Sequence, residues 1–151
     1  WEKLSNDETL KIYWATGKDN FSKIKDKITI DESRHIIKPY FENMLNIMAA
    51  SDLVICRAGA LTISEVIELE RPAVLIPYGS VKVGQYENAK ILLENDSALV
   101  YTKETIDEGI DSSFELIKND DRLRKMRIKI KALKKSNAAE EIIANLDIWR
   151  N

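Results

Sequence analysis

The chain has 151 residues, of which 44% are hydrophobic and 32% charged, a composition typical of a folded globular protein rather than a disordered one. Its 23 basic and 25 acidic residues leave a formal net charge of −2, which argues against a protein held to nucleic acid mainly by phosphate contacts. The single cysteine, Cys56, excludes an internal disulfide and fits a reducing compartment.

Strands and helices are predicted to alternate along most of the chain. Apolar and β-branched runs indicate strands, and apolar residues three and four apart indicate helices. In order, the predicted elements are strand 11–16, helix 21–28, strand 36–41, helix 44–48 with Asn43 as N-cap, strand 53–56, helix 60–70, strand 73–76, helix 85–94 and strand 98–101. A helical C-terminal third follows from about residue 106. Its basic stretch, 122–135, is interpreted as an amphipathic surface helix.

Two of the predicted strands contain no polar side chain. Residues 53–56 read LVIC and residues 73–76 read AVLI, as expected of strands buried on both faces of a parallel sheet. Alternation with helices at short spacing predicts right-handed βαβ units. The predicted fold class is therefore α/β, with a Rossmann-like doubly wound parallel sheet. We expect a single domain over 1–151 that ends in a helix over 138–151.

The loop after the strand that ends at Cys56 is the first candidate binding site. Ligands of open α/β sheets bind outside the carboxyl ends of the strands. The loop and the helix start comprise Arg57, Ala58, Gly59, Ala60, Leu61 and Thr62. Gly59 permits either a positive φ or a close backbone approach. The amides of 60–62 would be unpaired donors at a helix N-terminus, which favours a phosphate or diphosphate.

Glu65 lies one turn further along the same predicted helix, and helical side chains lean back toward the N-terminus. A carboxylate there can accept two hydrogen bonds from the vicinal hydroxyls of a ribose. Acids are also common in the first turns of helices, where they interact favourably with the dipole. Spacing alone therefore leaves a nucleoside-binding role and a plain surface role equally open.

Polar residues also follow the next strand. The segment 77–80 (PYGS) breaks the regular pattern, and Gln85, Tyr86 and Asn88 begin the following helix. Side-chain amides can read sugar hydroxyls by paired donor and acceptor bonds. Alone, this segment is an ordinary helix start, but two adjacent loops that both offer polar groups favour a binding site.

Three segments closely resemble the MurG-type glycosyltransferases of bacteria: SDLVICRAGALTISE at 51–65, RPAVLIPY at 71–78 and QYENA at 85–89. They are similar to the C-terminal half of that family, which transfers N-acetylglucosamine from UDP-GlcNAc to lipid I, forming lipid II for peptidoglycan. The resemblance implies the donor-binding, C-terminal half of a GT-B enzyme. It also implies that a first strand, a Gly-Gly-Ser-type phosphate loop and an N-terminal half precede residue 1, and that the helix 138–151 packs on that half.

The resemblance assigns roles by position. Glu65 matches the acid that binds the ribose hydroxyls, and Phe41 matches the residue whose backbone contacts uracil. The loop 57–62 matches the turn that meets the diphosphate and the sugar. Gln85 and Asn88 match the amides around the GlcNAc hydroxyls.

Some features of the family are missing. Gly84 stands where many members have His or Gln, which implies rearranged sugar contacts. The only histidine, His35, lies in a polar stretch and is expected to face solvent. No catalytic residue is assigned to this chain, because the proposed base and the acceptor surface belong to the N-terminal half, so the chain alone is expected to be inactive.

The implied reaction is an inverting displacement at the anomeric carbon by the acceptor hydroxyl. No Asp-x-Asp metal clamp occurs in the sequence, so neither a metal nor another cofactor is expected. The implied partners are UDP-GlcNAc, lipid I and, peripherally, the cytoplasmic face of the bacterial inner membrane, with no nucleic acid.

Two other functions stay open. The chain could be the donor subunit of a split lipid-diphosphate GlcNAc transferase, which a natural Met start just upstream of Trp1 would favour. It could instead be a non-catalytic nucleotide-sugar-binding module that keeps Glu65 and needs no partner half. Acceptor-dependent transfer after adding the N-terminal half would exclude the module.

Overall fold

The structure is a computed structural model that describes residues 1, 5–79 and 84–134. The chain divides into two compact units, Trp1–Ser51 and Asp52–Asn151, each described below by itself. The predicted C-terminal helix over 138–151 and Ser80 of the PYGS segment lie outside the described residues.

The first unit contains a two-stranded parallel sheet. Its elements are β1 (Tyr13–Ala15), α1 (Lys18–Lys25), β2 (Ile36–Lys38) and α2 (Met44–Ala50). α1 begins directly after Gly17, whose φ of 79° suits glycine. The helix thus starts three residues before the predicted range, 21–28. α2 follows Asn43, as predicted, although the Asn43 side chain makes no capping hydrogen bond.

His35 is buried, so the expectation that it faces solvent is wrong. Its side chain is only 1% exposed. The imidazole Nδ1 accepts a hydrogen bond from the Ile12 amide at 3.3 Å, and the ring of Trp1 meets it edge-on, with the ring centroids 5.4 Å apart. One ring nitrogen thus satisfies a backbone donor just before β1 and the ring packs against an aromatic neighbour, whereas the buried Nε2 has no hydrogen-bond partner among the described residues.

The second unit contains a three-stranded parallel sheet in the order β3-β4-β5. Its elements are β3 (Val54–Cys56), α3 (Ala60–Glu68), β4 (Ala73–Leu75), α4 (Gln85–Glu94), β5 (Ala98–Val100), α5 (Ile106–Ile117) and α6 (Asp120–Leu133). α3 and α4 connect neighbouring parallel strands, which confirms the predicted βαβ units. The expected parallel α/β architecture is present, with its strands divided between one sheet in each unit.

Burial differs between the two apolar strands. Ala73, Val74 and Leu75 of β4 are all fully buried, as predicted. In β3, Val54 is buried but Ile55 is 44% exposed, so two-sided burial is wrong for that strand. The physical reason is position: β4 has a partner on each side, whereas β3 pairs with β4 alone among the described strands, and an edge strand has packing neighbours on one flank only.

α5 and α6 supply the apolar side chains that cover the central strand. Leu116, Leu123 and Met126 form a buried cluster with Val74. Burying each such side chain stabilises the fold by roughly 1.5–3 kcal/mol. The cluster therefore packs α5 and α6 onto the sheet that carries the candidate site.

α6 is the amphipathic surface helix predicted from the basic stretch. Leu123, Met126 and Ile130 lie three and four residues apart on its buried face. Two of its basic side chains form ion pairs, Arg127 with Asp52 at 2.9 Å and Lys129 with Asp96 at 2.8 Å. Asn119 caps the helix by accepting a hydrogen bond from the Arg122 amide at 3.0 Å.

Gly109 of α5 lies against the ring of Tyr101, and the contact generates a stability prediction. A Cβ added at Gly109 would stand 2.8 Å from Cγ and 3.1 Å from Cβ of Tyr101, both close to the backbone and hard to displace. Gly109→Ala should therefore lower the free energy of unfolding by about 1–3 kcal/mol through overpacking, although alanine is the better helix former. Chemical denaturation measures the change, with Glu115→Ala on the exposed side of α5 as control. A stabilised Gly109→Ala chain would contradict the prediction.

Candidate functional site

Two loops leave the same edge of the second unit's sheet. β3 and β4 are parallel and in register, with Cys56 opposite Leu75. The carboxyl ends of parallel strands meet at one edge, where open α/β sheets bind ligands. The loops that lead to α3 and α4 therefore emerge side by side, as the sequence predicted.

The first turn of α3 presents backbone donors at this edge. Within the helix, hydrogen bonding begins with the Ile63 amide, which donates to the Gly59 carbonyl at 2.9 Å. The amides of 60–62 come before that bond, so they have no intrahelical acceptor. Ala60 and Leu61 are exposed and Thr62 is half-buried. A phosphate can be held by such donors together with the positive end of the helix dipole.

Gly59 at the N-cap of α3 has a φ of −63°, so the first of its two sequence interpretations, a positive φ, is wrong. A Cβ at this position would meet only the Thr62 Oγ1, at 3.7 Å, an ordinary contact. The backbone therefore does not require glycine here. The remaining interpretation is that the missing side chain lets a ligand approach the backbone closely.

The side chain of Arg57 crosses from the first loop to the second. Its Nη1 donates a hydrogen bond to the Ile76 carbonyl at 3.1 Å, and its guanidinium lies 5.6 Å from the centroid of the Tyr78 ring. Tyr78, whose side chain is 72% exposed, was not among the predicted site residues. The sequence feature that could have predicted Tyr78 as a site residue is an aromatic side chain at the end of one strand, next to a strand whose loop carries an arginine.

Glu65 is half-buried in α3, one turn beyond Leu61 and Thr62. No donor among the described residues hydrogen-bonds or pairs with its carboxylate. Both of its oxygens can therefore accept hydrogen bonds from a ligand. This arrangement fits the nucleoside-binding interpretation of Glu65.

Cys56 at the end of β3 carries a thiol that is hard to ionise. Burial raises its pKa to about 12, and the negative charge of Glu65 is the second cause. Both causes disfavour the thiolate, because it would be a charge in a poorly solvated place beside another of the same sign.

Two side-chain amides in the first turn of α4 contact the two loops. Gln85 Oε1 accepts a hydrogen bond from the Tyr78 amide at 3.0 Å, and Asn88 Nδ2 donates one to the Ala58 carbonyl at 3.0 Å. α4 begins after Gly84, which has a φ of 92° that side chains rarely adopt. The backbone conformation therefore favours glycine at that position, independently of any effect on sugar contacts.

Phe41 lies in the first unit, in the loop after β2. Its side chain is 7% exposed, packs against the Tyr13 ring with centroids 6.4 Å apart and has the Lys38 Nζ 5.8 Å from its centroid. The structure thus brings together the predicted site residues of the second unit, whereas the uracil contact of Phe41 stays a prediction.

Across the described ranges, no three His, Cys, Asp or Glu side chains group as a metal site would require.

Comparison with known proteins points to one family. The model of the glycosyltransferase family 28 C-terminal domain matches residues 2–144. A protein of Fusobacterium nucleatum named UDP-N-acetylglucosamine--N-acetylmuramyl-(pentapeptide) pyrophosphoryl-undecaprenol N-acetylglucosamine transferase is 60% identical over the whole chain, which covers 42% of that protein. One of the same name from Acetivibrio thermocellus is 35% identical over 99% of the chain and 42% of its own length.

Among solved structures, the chain is similar to MurG of Acinetobacter baumannii. The two share a TM-score of 0.77 and 25% identity over 96% of this chain and 46% of that one. The chain thus spans less than half the length of these relatives.

The raised pKa of Cys56 predicts slow alkylation in the folded state. Because the thiolate is the reactive form, iodoacetamide at pH 8 should modify the folded chain at least about 100-fold more slowly than the unfolded chain. Cys56 is the only cysteine, so mass spectrometry of the whole chain follows this one site. The denatured chain is the control, and similar rates in the two states would contradict burial of the thiol.

Proposed function

The chain belongs to the glycosyltransferase family 28 C-terminal domain family, and from that membership we propose that it binds UDP-GlcNAc as the donor domain of a GlcNAc transferase. In this proposal the complete enzyme moves GlcNAc to lipid I and forms lipid II, the reaction named for its relatives. One observation carries the proposal: the amides at the start of α3 and the half-buried carboxylate of Glu65, none of which has a partner among the described residues, occupy one turn and a half of the same helix.

Each part of the donor has a matching group. The Glu65 carboxylate accepts hydrogen bonds from the two ribose hydroxyls. The amides of 60–62 and the dipole of α3 hold the diphosphate, and as the bond to the sugar breaks they stabilise the charge that develops on the leaving UDP. Holding the nucleotide sugar in a fixed orientation also lowers the entropic part of the barrier.

The sugar lies toward α4 in this proposal. Gln85 and Asn88 offer amides to the GlcNAc hydroxyls. An added Cβ at Gly84 would have no described atom within 4 Å apart from its chain neighbours, so the glycine leaves those contacts different from relatives with a long polar residue there. Phe41 contributes its backbone to the uracil. No group of the chain is assigned the role of catalytic base, which we place in the N-terminal half of the complete enzyme.

We further propose that the complete enzyme works peripherally at the cytoplasmic face of the inner membrane. The relatives are named for an undecaprenol-linked acceptor, which is a lipid and resides in the bilayer. None of the described helices has the length and apolar character needed to cross a bilayer.

Calorimetric titration tests the donor site. We expect UDP to bind and Glu65→Ala to weaken the affinity by about 1–3 kcal/mol, the cost of losing a charged hydrogen-bond partner. Glu68→Ala, which removes an exposed acid one turn later whose carboxylate pairs with Lys134 at 2.9 Å, is the matched control and should leave the affinity unchanged. Equal affinities for the wild type and Glu65→Ala would remove Glu65 from the site.

A chimera tests the reaction. Fused behind the N-terminal part of the Fusobacterium nucleatum relative, the chain should transfer GlcNAc from UDP-GlcNAc to the lipid acceptor, because 60% identity extends over its whole length. Transfer of radiolabelled sugar to the acceptor measures the activity, and the same fusion with Glu65→Ala is the control. A folded chimera that binds UDP but transfers nothing would favour the non-catalytic module.

A further inference from the structure

We propose that Asn88 is a positioning residue for the diphosphate of the donor, in addition to any contact with the sugar. Its side chain holds the β3–α3 loop at Ala58, and the loop in turn orients the amides that open α3. The inference rests on the proposed function, since it takes a nucleoside diphosphate as the ligand of those amides.

The hydrogen bond between Asn88 and Ala58 is well placed for this task. It joins residues 30 positions apart at 3.0 Å. Ala58 is fully buried, so its carbonyl cannot readily exchange the amide donor for water, and an unpaired buried carbonyl is unfavourable. The peptide group that contains this carbonyl leads directly into Gly59, the N-cap of α3. A shift of that peptide group would therefore rotate the start of the helix.

The polarity of both α4 amides follows from their backbone partners. The Ala58 carbonyl can only accept, so Asn88 must present Nδ2 to it. The Tyr78 amide can only donate, so Gln85 must present Oε1 to it. The atoms left over are an acceptor on Asn88 and a donor on Gln85. Replacing an amide by an acid thus affects the two residues differently.

In Gln85→Glu, the oxygen that accepts from Tyr78 is retained and only the free donor is lost. In Asn88→Asp, the free acceptor is retained and the donor to Ala58 is lost, leaving two oxygens facing each other. If Asn88 only read a sugar hydroxyl through its oxygen, Asn88→Asp would leave the binding of UDP, which has no sugar beyond the ribose, unchanged. If Asn88 positions the loop, UDP binding itself must weaken.

The test is calorimetric titration with UDP and with UDP-GlcNAc. Asn88→Asp should weaken the binding of both ligands by a similar factor of at least about five, the scale of a hydrogen bond whose buried acceptor is left unpaired. Gln85→Glu, which adds the same charge in the same turn, should weaken UDP-GlcNAc more than UDP. Asn95→Asp is the matched control, since the C-cap side chain of Asn95 bonds back to α4, to the Ile91 carbonyl at 2.8 Å, and has no hydrogen bond to either loop among the described residues.

Asn88→Ala separates loop position from charge, because it removes the donor without adding a carboxylate, and it should weaken UDP binding as well. Circular dichroism confirms that each variant is folded. Unchanged UDP affinity in both folded Asn88 variants, with weaker UDP-GlcNAc binding, would overturn the positioning role and leave the donor-site proposal intact. Failure of the wild type to bind UDP would overturn both.

Discussion

The hydrogen bonds that pair β3 with β4 in parallel determine where everything else in the candidate site can lie. They place the ends of the two strands opposite each other, so the loop that opens α3 and the loop that opens α4 leave the sheet at the same edge. The contacts between the loops then reinforce this arrangement: Arg57 reaches across to Ile76, and Asn88 reaches back to Ala58. A ligand between the loops would be held by backbone groups whose directions the sheet has already determined.

Order and type of the elements could be predicted from the sequence where one pattern dominated. The fully apolar run 73–76 became the buried central strand, and α4 occupies its predicted range, 85–94. The predictions that were wrong depended on neighbours. The exposure of Ile55 follows from which strands pair, and the burial of His35 follows from an acceptor role toward the Ile12 amide; neither is visible in local composition.

The same limit applies to the site. Loop positions and the acid at Glu65 follow from periodicity and from the resemblance, but the contacts that orient Arg57 and Asn88 are made to backbone carbonyls 19 and 30 residues away in the sequence. A backbone carbonyl such as that of Ala58 has no signature in the sequence. The sequence therefore predicts which polar residues belong to the site, and that assignment stays a prediction, whereas which atom of each residue faces which backbone group required the structure.

The close fit of Gly109 against Tyr101 also limits how these two positions can change in evolution. A side chain at 109 needs the volume that the Tyr101 ring occupies, so a larger residue there is compatible with the fold only if position 101 becomes smaller. In an alignment of this family the two positions should vary as a pair rather than independently. Such a pair would mark the packing of α5 onto the end of β5 in relatives whose structures are unsolved.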